Sequence, residues 1–462
     1  MKTYQDFLEI AERSETERMD FVRQIINEHK ASTIYQDADT AQRYFDRHNV
    51  TIEQFQKLLY TMTGQAVPDN YSANWKMKHG FFRTFVTQEV QHLLGNGVTW
   101  KNESTRAKLG QDIDTKIMKA AKAALIGAES FGFFNFDHVE VFKITEFVPL
   151  YDEEDGALKA GVRFWQIDSA KPLRATLYEL DGYTDYIYRG SESEVLNNKR
   201  TYIQQAVGSK ADGTEIYDFS NYPTFPIVPL WADDDSHTNA LQGIREQIDC
   251  YDLIKSGFAN DVDDASLIYW TIQNAGGMDD VDLAKFVERM HTLKAATVDA
   301  DGATAEAHSM DVPSEARERL LDRLKDDLYM DAMALDLKNI SGGATTATQI
   351  IASYKPLDSK CDDLEYSIIE WLKRICALAG ITDEKPTFTR DYIVNKTEEI
   401  QTIVQSAQFL TEDYVTTKIM NILGDGDQAE ALIKQRMADD LAIDYDEEQQ
   451  EEQTAQEDTA QE

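Results

Sequence analysis

SHTNALQGIREQIDCYDLIKSGFANDVDD (Ser236–Asp264), SEARERLLDRLKDDLYMDAMALDLKN (Ser314–Asn339) and ISGGATTA (Ile340–Ala347) form the stretch whose reading decides the fold. In the first string Leu241, Ile244, Ile248, Tyr251, Phe258 and Val262 recur every three or four residues. That is the apolar stripe of a long helix. Asn239, with Gln242 three places on, is suited to its N-terminal cap. Pro313 and Ser314 open a second helix carrying Leu320, Leu321, Leu324, Leu328, Ala332 and Leu335. Its Glu315/Arg319 and Asp322/Lys325 spacings suit a solvated face. Between the helices, Ser266–Val312 is mixed in pattern and broken at Gly276-Gly277 and Asp301-Gly302. Two long helices around a small insert predict a hairpin-like rod with a tip. Ile340–Ala347 holds two glycines and small residues, a loop that moves at low steric cost.

Thr348–Ala379 reads as a third long helix, kinked by Pro356 and stopped by Gly380. Shorter helical patterns follow at Val394–Leu410, Glu412–Leu423 and Asp427–Leu441. The acidic tail from Asp446 to Glu462 lacks the apolar residues for a core and is expected to be disordered. N-terminal to the rod, helices are predicted over Gln5–His29, from Asn74 to Leu94, and over Asp114–Phe131. β-Branched and aromatic runs at Val139–Pro149, Gly161–Ile167, Arg174–Leu180 and Tyr183–Arg189 are separated by turn residues, Asp152–Gly156 and Asp181-Gly182 among them. They predict an antiparallel meander. Arg200–Val207 is a further strand candidate, and Phe225–Leu230 an extended, proline-bounded segment. The class expected is α+β, mainly helical.

With 462 residues, 42% of them hydrophobic, the chain is long enough for two or three substructures. No apolar run reaches membrane-spanning length, and Met1–Arg13 lacks the apolar core of a signal peptide. Cys250, Cys361 and Cys376 have no metal-ligand spacing and read as small core residues in a reducing compartment. Acidic residues outnumber basic ones 83 to 46, a formal net charge of −37. A protein that grips phosphates presents a basic stripe, and none is visible here.

No phosphate-binding G-x-x-x-x-G-K-[ST] or G-x-G-x-x-G string occurs, nor H-E-x-x-H, nor G-x-S-x-G. The eight histidines are scattered. Asp233-Asp234-Asp235 is the most enzyme-like feature, since clustered carboxylates hold divalent cations. Acids at a strand-to-helix junction also complement a helix N-terminus, and that is the reading preferred. Phe131, Phe133, Phe134 and Phe136 lack basic neighbours and read as core rather than a base-stacking platform. Catalytic residues, metal ligands and cofactors are therefore expected to be none.

Several strings, in order, resemble the portal proteins of siphovirus-type phages of Gram-positive hosts. They are Asn74-Trp75-Lys76-Met77 through His92-Leu93-Leu94-Gly95, then Ala128–Gly132, Val148–Asp152 and Phe225–Leu230. Cys250-Tyr251-Asp252, Ser256 and Asn260-Asp261 follow, and then Phe388-Thr389-Arg390 with Asn395. The resemblance implies a wing at 1–235, a stem helix at 236–265, a clip at 266–313 and a second stem helix at 314–339. A tunnel loop at 340–347, a kinked wing helix at 348–384, a crown at 385–445 and the tail at 446–462 complete it. It implies that Ile340, Ser341, Gly342, Gly343, Ala344, Thr345, Thr346 and Ala347 face DNA. The stem positions are Tyr251, Ser256, Asn260 and Asp261, with Arg319 and Lys325 on the second helix.

The implied assembly is a homo-oligomeric ring of about twelve copies at one capsid vertex of the virion, built in the host cytoplasm. Double-stranded DNA passes through it without sequence specificity during packaging and ejection. The implied partners are the terminase large subunit, a head–tail adaptor, and the major capsid and scaffolding proteins, with no membrane. Net negative charge fits a wall along which phosphate slides. The competing readings are an acidic adaptor or scaffold without a tunnel, and a metal-dependent hydrolase using Asp233 to Asp235.

Overall fold

In a computed structural model, the structure describes residues 2–60, 64–69, 74–209, 215–233, 235–265, 269–273, 304–308, 314–338, 347–390, 392, 396–424 and 426–436. The chain divides into two compact units, one of Met1–Leu335 with Leu357–Arg390, the other of Asp336–Pro356 with Asp391–Glu462.

The first unit opens with α1 (Tyr4–Ala11) and α2 (Glu15–Ala31). The sequence pattern predicts one helix there, but Ser14 and Glu17 form a capping box that starts a new one. An S-x-x-E signal at Ser14 is the legible cause. Next come α3 (Thr33–Phe45), α4 (Val50–Gln54) and the hairpin β1 (Leu58–Tyr60) with β2 (Ala66–Pro68). Helix α5 covers Phe81–Leu94, so the expected start at Asn74 is wrong by nearly two turns. Residues 74–80 are non-helical because side chains of a later helix take their backbone N–H groups.

After β3 (Val98–Thr99) and α6 (Glu103–Leu109), α7 spans Ile113–Gly127. The chain then enters β4 (Glu129–Asn135), where a helix end is predicted at Phe131. Ala128, at φ 69°, makes the break. β4 is the central strand of a three-stranded sheet, between β5 (His138–Lys143) and β13 (Ile227–Trp231). Phe131, Phe133 and Phe134 are buried there, as expected of core residues, while Phe136, just past the strand, is half-exposed, and Phe131 lies in a strand rather than at a helix end.

The expected meander is present from its second run onward in a five-stranded antiparallel sheet of order β10-β9-β8-β7-β6, while its first run, Val139–Pro149, divides between β5 of the other sheet and β6. Its strands are β6 (Phe147–Tyr151), β7 (Leu158–Trp165), β8 (Leu173–Glu179), β9 (Gly182–Arg189) and β10 (Glu192–Arg200). One face carries Val148, Leu150, Val162, Phe164, Leu177 and Tyr186 against Phe7, Phe21, Val22, Ile25 and Ile26 of α1 and α2. Burying such side chains contributes about 1.5–3 kcal/mol each. β11 (Ile203–Ser209) and β12 (Glu215–Ser220) make a separate exposed hairpin.

Helix α8 runs Arg245–Ala265, so the helix expected from Ser236 begins nine residues later than predicted. Asn239 does accept a backbone N–H, from Leu241, but in a turn preceding the helix. Beyond it, β14 (Tyr269–Gln273) pairs with β15 (Thr304–His308), and α9 covers Ser314–Asp331. Met333 at φ 52° ends the regular part of the second rod helix before the expected Asn339. Helix α10, Ala347–Leu378, crosses from the second unit into the first and passes through Pro356. Its Trp371 packs on β4 and donates to Val228 O at 3.1 Å. A Cβ at Gly132 would fall inside that indole, so only glycine fits the strand there. β16 (Thr387–Phe388) returns to pair with β3.

In the second unit, α11 (Lys396–Ser406) and α12 (Glu412–Leu423) follow, near the predicted helices. Among the described residues no helix is long and apolar enough to cross a membrane. The acidic tail, Asp446–Glu462, lies outside the described residues.

Candidate functional site

Helix α8 carries buried polar side chains at regular intervals along one face. Asp252, Ser256 and Asn260 stand four residues apart and are all nearly inaccessible. Each accepts a backbone N–H from the segment before α5. His79 N–H reaches Asp252 Oδ1 at 3.1 Å, Met77 N–H reaches Ser256 Oγ at 2.9 Å, and Trp75 N–H reaches Asn260 Oδ1 at 2.7 Å. The two periods match physically. Four helical residues rise about 6.0 Å, and two extended residues advance about 6.6 Å. Alternate N–H groups of the strap therefore meet successive turns of the helix, as rungs of a ladder.

Asp252 is the deepest rung. It also accepts from His79 Nδ1 at 2.7 Å and from Asn49 Nδ2. A buried carboxylate is tolerable only when its oxygens are so engaged. One turn earlier, Asp249 accepts from Tyr44 Oη at 2.5 Å and Thr51 Oγ1 at 2.7 Å. Beyond the last rung, Trp75 Nε1 donates to Asp263 at 3.1 Å. The end of α3, the start of α4 and the strap are thus fastened to one face of α8.

The opposite side of α8 receives α9. Gln247 donates to Asp331, Arg317 pairs with Asp261, and the Arg317 guanidinium lies 5.9 Å from the Phe258 ring centre. Contacts pairing 247 with 331 and 261 with 317 make the two helices antiparallel. Tyr251 packs edge-on against His79 and Phe81, and Lys325 stands 5.3 Å over the Tyr329 ring. Arg319 pairs with Glu315 at 2.5 Å on an exposed face, as the spacing predicts.

Of the expected stem positions, Ser256 and Asn260 are internal anchors, Tyr251 and Asp261 are helix-to-helix contacts, and Arg319 and Lys325 lie on α9. Tunnel-loop residues Ile340–Thr346 lie outside the described residues, and Ala347 is the first residue of α10. Most of 266–313 lies outside them too, apart from the paired strands β14 and β15.

Asp233 is occupied structurally. It accepts from the N–H groups of Asp235 and Ser236 at 2.9 and 3.1 Å and from Ser236 Oγ at 2.6 Å. These bonds, the Ser236 hydroxyl first, hold its pKa below the usual carboxylate range. Because α8 starts at Arg245, Asp233 caps a turn rather than that helix's N-terminus, which corrects the dipole reading. Among the described residues no group of three or more His, Cys, Asp or Glu side chains could hold a metal ion.

Two other polar centres escaped the sequence reading. Arg390 pairs with Asp362 and Glu365 of α10 at 2.5 and 2.8 Å and donates to Asp358 O at 3.1 Å. His92 Nε2 lies 2.9 Å from the Asp358 carboxylate. In a cleft of about 1500 Å³ between β6, β13 and α10, Glu129 is buried beneath Tyr151, whose hydroxyl donates to it. Burial raises the Glu129 pKa well above its ordinary value.

The family model described as phage portal protein, SPP1 Gp6-like, matches residues 24–441. The portal protein of Clostridium phage phiCD119 is 27% identical over 368 residues, 72% of this chain and 79% of that protein. The portal protein of Bacillus phage SPP1 is 24% identical over 436 residues, 86% of this chain and 81% of that protein. A solved chain from the neck of an empty gene transfer agent particle is similar at TM-score 0.42 and 12% identity, covering 74% of this chain and 90% of that one.

Proposed function

The chain belongs to the SPP1 Gp6-like family of phage portal proteins, and on that premise we propose that copies of it close into a ring around an axial DNA channel at one capsid vertex. The family is structural, and the chemistry needed is geometric: a rigid rod from each copy, repeated by rotation until it closes. The observation that carries this is the α8–α9 pair. Its two antiparallel helices are followed and preceded by the paired strands β14 and β15 and are locked by Gln247–Asp331 and Arg317–Asp261 at its two levels.

Under this reading α8 and α9 are the stem, and residues 266–313 are the clip that meets the terminase large subunit and later a head–tail adaptor. Residues 1–235 and 348–384 make the wing, 385–445 the crown, and Ile340–Ala347 the loop facing DNA. Major capsid and scaffolding proteins meet the same ring at the vertex, and it assembles in the host cytoplasm. The polar ladder gives the stem its stiffness, because α8 cannot tilt without dragging the strap and α3 with it. With a net charge of −37 per copy, the wall does not hold the phosphate backbone that must slide past.

Negative-stain microscopy of the purified chain is the test. Rings with a central hole are expected, and particles lacking a hole at every salt concentration overturn the proposal. Deleting Gly342–Thr346 is expected to leave rings intact while packaging of DNA falls. Undiminished packaging would remove the loop from the mechanism.

A further inference from the structure

In a chain this acidic, one surface stands out as basic. Arg43 and Arg47 end α3 or follow it, Lys76 and Lys78 lie on the strap, and Arg83 is in the first turn of α5. These residues form one patch. Arg43 Nη2 and Lys78 Nζ lie 3.0 and 2.6 Å from the Glu53 carboxylate, and Lys76 Nζ donates to Glu53 O at 2.7 Å. His48 Nδ1 is 3.0 Å from the same carboxylate. Arg47 lies against Gly80, and Arg83 is 5.3 Å over the Phe45 ring. Glu53 is overmatched by these neighbours, and hydrogen bonds from Lys78 and then His48 hold its pKa at about 2. Arg47 and Arg83 are exposed, and beside them Trp75 and Met77 expose apolar surface.

The C-terminal half of α9 has the complementary chemistry. Asp322, Asp326 and Asp331 are exposed there, and Met330 is 74% accessible. The placement of the two surfaces is the decisive point. Asp252, Ser256 and Asn260 face the strap, whereas Gln247, Phe258 and Asp261 face α9. At about 100° per residue these two sets point roughly 180° apart on α8. They also sit at the same level, since Asp249 and Asp252 hold the cationic side while Gln247 holds Asp331. The first unit therefore carries a basic, partly apolar surface at the strap and the end of α3 and an acidic one with an exposed methionine on α9, with α5 packed between them through Phe81 and Phe85 against Tyr329. Two separate, complementary surfaces in one copy are what a head-to-tail ring contact requires.

We propose that the cationic surface of Arg47, Lys76, Lys78 and Arg83 in one copy docks on the α9 surface of Asp322, Asp326 and Met330 in the next copy. The inference rests on the ring reading and names its interface. Strongly acidic copies repel each other on approach, and this contact offsets that repulsion where the rods meet.

The test is a charge swap read by native mass spectrometry and microscopy at ~150 mM salt, where unpaired surface charges are largely screened. Arg47→Glu/Arg83→Glu and Asp322→Lys/Asp326→Lys change only exposed side chains. Each variant alone is expected to lose rings. Mixed at equal amounts they should form rings in which the two variants alternate, because every contact then joins opposite charges. The four substitutions placed in one chain should also restore rings, which controls for misfolding of either half.

Normal rings from each double variant, or no recovery in the mixture and in the combined chain, overturn the proposal. Rings that persist in Arg47→Glu/Arg83→Glu, with binding to a duplex lost, assign the patch to phosphate and equally overturn it. A wild-type chain that forms no rings fails at the earlier step, sinking the ring reading and this interface with it.

Discussion

Replacing Ser256 by alanine should loosen one identifiable amide, that of Met77. Ser256 Oγ accepts the Met77 N–H at 2.9 Å from a position that is almost fully buried. Removing the oxygen leaves that N–H without its acceptor, a loss of about 1–2 kcal/mol. Opening the strap locally becomes easier by the same amount, so exchange of the Met77 amide should quicken by roughly 5- to 30-fold. The rung structure makes the effect specific to register. Asn260→Ala should act first on Trp75, while Asp252→Ala should act on His79 and cost more, about 3–5 kcal/mol, because it strands Asn49 as well.

Hydrogen exchange with residue-resolved mass spectrometry measures this directly, with urea unfolding to follow total stability. If Ser256→Ala speeds exchange equally at 75, 77 and 79, or leaves 77 unchanged, the ladder is not what holds the strap. In that case the match of helical and extended periods is incidental.

Three further outcomes can be checked in the same way. Gly132→Ala puts a Cβ into the Trp371 indole and should destabilise the first unit by about 2–3 kcal/mol, visible as a lower melting temperature and altered tryptophan fluorescence. Arg390→Ala leaves Asp358, Asp362 and Glu365 to repel one another, costing about 2–3 kcal/mol in denaturant titration; Asp362 is half-exposed, which keeps the loss below that of a fully buried pair. Glu129 has a folded pKa raised by burial, so the folded state holds a proton that the unfolded chain releases above about pH 4.5. The wild type should therefore lose stability relative to Glu129→Gln as pH rises from that point, and parallel stability curves for the two proteins would contradict it.

Periodicity made the elements themselves legible. The apolar stripe of α8, the leucines of α9, the long run of α10 and the alternation of β7 to β9 each follow from one local rule, because helices and half-buried strands have fixed periods. Composition likewise spoke to the whole chain, in its acidity and in its lack of familiar catalytic strings. Boundaries were less legible wherever a distant group intervened. The segment 74–80 reads as helix until side chains of α8, some 180 residues later, claim its N–H groups. The same holds for Phe131, drawn into β4 by pairing with β5 and β13.

The string on α8 that carries Ser256 and Asn260 shows the division most clearly. From sequence alone, Ser256 and Asn260 are polar residues on a helix, equally ready to face a channel or a core. Their spacing of four was readable, but its meaning lay in a partner with the matching extended repeat, which only the tertiary structure supplies. Burial then decides their role, since a polar group removed from water must be paired. Likewise the sequence carries a net charge, a single sum, whereas the separation of a basic surface from an acidic one depends on how α5, α8 and α9 pack. Local periods are set by backbone geometry within a few residues. Juxtaposition is set by packing across the chain, and the ladder on α8 exists only through that juxtaposition.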